Sequence, residues 1–190
     1  QELRRAVRVC EWDGKLSAVH LPPHVGGGVA LYGRLNSKPT RRWAQVAVAP
    51  APGAPFGPFR ALKWLGWTGC RVRGASVYYV VVEPNPGDPQ GSLLGLYPVH
   101  ELSGDGRCYL AFAVSCDGVT FGPPKWLLAL GCAEQGRVRD FPVDGLAARG
   151  DDVHFYIHKN MPTDHLVLGR ELPPEVNIVR YTLSRPWLRA

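Results

Sequence analysis

Residues 109–128 read YLAFAVSCDGVTFGPPKWLL, and the way this stretch divides decides the fold. Tyr109–Ser115 is an apolar run containing aromatic and β-branched residues, which suits a strand. Ser115-Cys-Asp117-Gly118 is a turn signal, because Gly tolerates positive φ and Asp bonds nearby backbone amides. Phe121-Gly-Pro-Pro then leads into a second apolar run from Lys125. The stretch therefore predicts a strand, a tight polar turn and a returning strand. In that reading Asp117 is punctuation and carries no chemistry.

The same pattern extends in both directions. VALYGRLN, WAQVAVAP, VYYVVVEPN, CYLAFAVS, DVHFYIHKN and NIVRYTLS all read as strands bounded by turn residues. The 22 Gly and 18 Pro are spread along the chain, and no run of a dozen residues keeps helical periodicity. The expectation is an all-β chain. Its features also recur in order: an aromatic strand ending near Asn, an insertion, a second strand, a turn and a third strand. Such units open at Val29, Val77 and Val153, unevenly spaced. Repeated antiparallel units of this kind predict a β-propeller-like fold, with a β-sandwich as the competitor. Three recognisable units, plus a fraction of a fourth near residues 1–25, fall short of the four to eight blades of a closed ring. Residues 1–190 are therefore expected to be one domain that forms part of a longer ring.

Composition narrows the function classes. With 190 residues, 45% of them hydrophobic, the chain can bury a sizeable core. No apolar run reaches the roughly 20 residues of a membrane helix, so no membrane partner is expected. The net charge of +6 raises nucleic acid as a partner, but the basic residues are scattered (Arg4, Arg5, Arg8, Arg41, Arg42, Arg71, Arg73, Arg137 and Arg139). No RNA-binding signature or helix-turn-helix pattern accompanies them, which argues against nucleic acid. The five cysteines include no CxxC pair, and their odd number does not suggest a complete disulfide framework. They read mostly as small core residues. Nothing identifies the compartment.

Ser115-x-Asp117-Gly118 followed by Phe121 and Pro123 resembles a recurrent blade turn of the five-bladed propeller glycoside hydrolases, the invertase/inulinase-like and arabinanase/xylosidase-like families. The opening strands LYGRLN and VYYVVVEPN are similar to theirs as well. Arg139-Asp140-Phe141-Pro142 resembles the Arg-Asp-Pro motif of the invertase-like enzymes, with Phe141 interposed. The resemblance implies a carbohydrate-active propeller that hydrolyses a glycosidic bond, with an oligosaccharide or polysaccharide as partner and no cofactor. It also implies a substrate-binding role for Asp140, with Arg139 orienting it. No Asn-Asp-Pro-type segment is seen near the N-terminus. Asp13, in a Trp-Asp-Gly-Lys stretch, reads equally well as a hairpin turn.

Glycoside hydrolysis needs one protonated and one ionised carboxyl group across the scissile bond. The densest candidate segment is Arg139-Asp140-Phe141-Pro142-Val143-Asp144. Strand alternation would place Asp140, Pro142 and Asp144 on one face and aim both carboxylates into one pocket. Glu134 is the candidate general acid, with Glu101 as a substitute. His154 and His158, four apart, share a strand face with Tyr156, which suits a pocket lining better than a metal site lacking a third ligand. Trp43, Trp64, Trp67 and Trp126 could present flat faces to sugar rings, although filling core is the commoner use. Phosphate-loop and dinucleotide fingerprints are absent from the sequence. The alternatives are a noncatalytic glycan- or protein-binding propeller, or an inactive propeller fragment.

Overall fold

The computed structural model describes residues 16–38, 41–66, 75–101, 107–133, 137–161 and 176–189. Among these residues there is no α-helix, only strands and two short 3-10 turns at Pro23–Val25 and Arg185–Arg189. The chain is all-β.

Strands β1 (Ser17–His20), β2 (Val29–Lys38), β3 (Arg41–Ala49) and β4 (Arg60–Ala61) form an antiparallel sheet in chain order. After β5 (Lys63–Trp64) come β6 (Ala75–Val77), β7 (Val81–Pro84), β8 (Leu93–Glu101) and β9 (Cys108–Ser115). β10 (Thr120–Phe121) pairs in parallel with β5, and β11 (Lys125–Leu130) returns beside β9. The middle sheet therefore runs β11-β9-β8, with β6 and β7 sharing the far edge of β8. A hairpin of β12 (Cys132–Ala133) and β13 (Arg137–Val138) leads into the third sheet. There β14 (Phe141–Pro142) and β15 (Ala147–Arg149) share one edge of β16 (Asp152–Lys159), and β17 (Asn177–Ser184) pairs along its other edge.

The middle sheet is buried on both faces, and its residue alternation sorts two cores. Val82, Leu93, Tyr97, Val99, Tyr109, Ala111 and Ala113 join Tyr32, Val46 and Trp64 in the first. Val81, Leu94, Leu96, Leu110 and Phe112 join Val153, Phe155 and Ile157 in the second. A strand covered on both sides must be apolar at every position, which is why β9 lacks polar alternation. β17 is covered on one side only and alternates half-buried with exposed positions.

The quoted stretch behaves as a turn, with one addition. Asp117 Oδ1 accepts the backbone amides of Val119 (2.7 Å) and Thr120 (2.6 Å) and the Ser115 hydroxyl (3.1 Å). Burial alone would raise its pKa, but these bonds outweigh it and hold the carboxyl below the usual range. Gly118 takes a φ of 73°, and its carbonyl accepts the buried Tyr32 hydroxyl at 2.7 Å. β10 then carries Phe121 into the first core, where it is fully buried. Gly95 makes the space, since a Cβ there would lie 2.8 Å from the Phe121 ring.

The predicted unit boundaries need correction. β2 and β16 are second strands of their sheets, whereas Val77–Asn85 is the edge strand of its own, broken between β6 and β7 at Tyr78–Val80. The true counterpart of β2 and β16 is β8, which Gly95 and Pro98 disguised. The expectation for the cysteines also changes: Cys108 and Cys132 form a disulfide tying β9 to β12, and Cys116 is free and exposed.

Candidate functional site around Asp140, Asp144 and Glu83

Strand β1 of the first sheet runs beside β7 of the second, and β14 of the third lies against β8. The Ser17 hydroxyl donates to Val82 O (3.1 Å) and its oxygen accepts Val82 N–H (3.0 Å). Tyr79 Oη donates to Pro142 O at 2.9 Å. At each of these places a side chain of the one sheet bonds the backbone of the next.

Asp140 is fully buried. Its Oδ2 accepts Gly131 N–H at 2.6 Å and the Lys159 ammonium, and its Oδ1 accepts Asn160 N–H at 3.0 Å. Desolvation would raise its pKa, yet Lys159 and the two amides more than compensate and hold the carboxyl below its usual value. The clamp is completed by Arg139 N–H to Gly131 O (3.0 Å) and Met161 N–H to Arg139 O (2.8 Å). Asn160 adopts a φ of 56°, a conformation Asn tolerates better than most residues. A Cβ at Gly131 would sit 3.1 Å from Asp140 Oδ2, so glycine allows the close approach. Arg139 thus contributes backbone to the clamp, and the cation against Asp140 is Lys159.

The expected common face of Asp140 and Asp144 does not form. Strand geometry stops after Pro142, Val143 N–H bonds Tyr156 O, and Gly145 turns at a φ of 105°. A strand that bends away loses its alternation, so Asp140 faces inward while Asp144 is exposed. Asp144 instead precedes Gly145, whose N–H donates to Glu83 Oε1 at 3.1 Å. Burial first, and then the Asp144 charge, push the Tyr79 phenol upward. Glu83, half-buried on β7, was missed because it ends an apolar run and reads as strand edge.

His154, Tyr156 and His158 do share a face, opposite the buried Val153, Phe155 and Ile157. His154 Nδ1 lies 3.0 Å from Thr182 Oγ1, while Tyr156 and His158 pair across the sheet with Arg180 and Ile178. That face turns away from the second core, whereas Lys159 continues the inward series toward Asp140. No group of three or more metal-ligating side chains occurs among the described residues. Nor, among them, is any helix long and apolar enough to cross a membrane. Trp43 and Trp64 are core residues, while Trp126 is 58% exposed and stacks on Tyr109. Glu134, Asp13 and Trp67 lie outside the described residues, as does the Glu101 side chain. No protein-family model, no curated protein and no solved structure matches this chain.

Proposed function

We propose that this chain is a carbohydrate-active protein of glycosidase type, built as a partial stack of propeller-like blades. Each sheet is then one blade, and the edge strands β1, β6/β7 and β14/β15 are the innermost strands lining the axial groove. The antiparallel meander within each sheet and the Ser17–Val82 and Tyr79–Pro142 bonds between sheets support this arrangement. The observation carrying the functional reading is the hydrogen bond from Gly145 N–H to Glu83 Oε1, which sets a carboxylate of the middle sheet against the turn that bears the exposed Asp144. One would protonate the leaving oxygen while the other stabilises the oxocarbenium-like centre or activates water. Asp140, with both oxygens engaged by the chain, acts as a positioning residue that holds segment 139–142 on β16.

The test is reducing-sugar release from fructans, arabinans, xylans and mannans, with Asp144→Asn and Glu83→Gln alongside the natural chain. Turnover should fall at least a hundredfold in either variant while circular dichroism is unchanged. Turnover that survives both variants sinks the assignment of the pair. The sealed state of Asp140 favours a second reading, noncatalytic glycan binding at the same groove. Saturable glycan binding without turnover would establish that reading in its place.

A further inference from the structure

The outer edges of the three sheets are not protected alike. In the first sheet the outermost strand, β4, is only two residues long. In the second, β11 follows Pro123 and Pro124, opens with the exposed Lys125 and carries a register shift between Trp126 and Leu128. Short strands, prolines, charges and bulges are what keep one sheet edge from pairing with another. β17 has little of this protection. It pairs with β16 along its whole length, from Asn177 to Ser184, without a register shift, and no strand among the described residues pairs with its outer edge. It contains no proline, and Arg180 is its one charged residue. A regular edge of eight residues presents backbone amides and carbonyls that a further strand can satisfy.

The residues of β17 also suit a copy of themselves. Val179, Tyr181 and Leu183 are half-buried, with Tyr181 and Leu183 packed on the second core, while Ile178, Arg180, Thr182 and Ser184 are exposed. In an antiparallel pair related by a two-fold axis perpendicular to the sheet, opposite residues share a face. The axis must therefore pass at a residue and not between two. Centred on Arg180, it would oppose two like charges, which is destabilising. Centred on Tyr181, it keeps residues 178–184 in register. Tyr181 then faces Tyr181 of the second copy, Val179 faces Leu183, and Arg180 faces the neutral Thr182.

We infer that β17 is a dimer edge: two copies of this chain join by antiparallel pairing of β17 with β17, centred on Tyr181, into one continuous sheet. The inference stands apart from the carbohydrate reading, since it uses none of Glu83, Asp140 and Asp144.

Sedimentation velocity of the whole chain over a hundredfold range of concentration tests the pairing. The natural chain should pass from monomer to dimer and go no further, because a two-fold pairing uses up the edge it employs. Thr182→Lys sets a second cation opposite Arg180 at two symmetric places and should weaken the dimer about tenfold. Thr182→Glu sets an anion there and should tighten it by a similar factor, and salt should shrink both effects. Thr182 is exposed, so neither change disturbs the core, and the concentration series of the natural chain stands even if a variant fails to fold. A natural chain that stays monomeric throughout, or that grows beyond a dimer, would overturn the inference. So would a dimer indifferent to both Thr182 variants, because its interface would then lie elsewhere.

Discussion

Replacing Asp140 with Asn should destabilise the fold sharply, with a recognisable pH dependence. The carboxylate accepts two backbone amides and a lysine ammonium, all donors. A carboxamide has one acceptor oxygen and one donor nitrogen, so in either orientation its NH2 faces another donor. A buried donor left unpaired costs about 1–3 kcal/mol. Lys159 loses its counter-charge too, but its side chain is 24% exposed and can turn to water, so that loss adds only about 1 kcal/mol. The combined loss is about 2–4 kcal/mol. At this chain length that corresponds to a fall of roughly 4–16 °C in melting temperature. Because folding depresses the Asp140 pKa, its stabilisation is fully present above the unfolded value of about 3.9 and disappears as pH falls through the folded one. The gap between natural chain and variant should therefore be widest at neutral pH and narrow toward pH 3. Melting followed by circular dichroism at pH 7, 5, 4 and 3 measures it. A gap under 2 °C at pH 7, or one that grows on acidification, would refute the clamp as described.

Asp117→Ala removes three hydrogen bonds at an exposed turn where water can replace part of them, so it should cost about 1–2 kcal/mol. Glycan binding should not change, and a selective loss of binding in that variant would mean that the turn does more than shape the chain. The Cys108–Cys132 bridge closes a loop with a sequence separation of 24, which chain entropy values at about 3.5 kcal/mol. A dithiol reductant should lower the melting temperature of the natural chain and leave a Cys108→Ser/Cys132→Ser variant unaffected. Equal sensitivity of the two would place the effect elsewhere.

Much of the site was legible only in fragments. The segment around Asp140 stood out because two carboxylates, Asp140 and Asp144, lie four residues apart there and Arg139-Asp140-Phe141-Pro142 resembles a known motif. Its true counter-ion, Lys159, arrives from β16 through sheet register, which the spacing of residues does not reveal. Glu83 was overlooked for the same reason, as its partner Gly145 lies 62 residues away. Arg42 read as one of the scattered basic residues and Arg34 was not singled out, whereas the fold sets both guanidinium groups against the Tyr78 ring.

The sequence alone determined the all-β class, the extents of strands such as Cys108–Ser115 and Asn177–Ser184, and the Asp117–Gly118 turn. These rest on local causes: β-branched and aromatic side chains favour the extended backbone, Gly permits positive φ, and Asp caps amides within three residues. Only tertiary structure decided that the middle sheet is buried on both faces, that β8 is a strand despite Gly95 and Pro98, and that Asp140 is sealed while Asp144 is exposed. Each of those outcomes depends on what packs across a sheet face or pairs along a strand edge. Sheet stacking and register join residues tens of positions apart, where local periodicity carries no information.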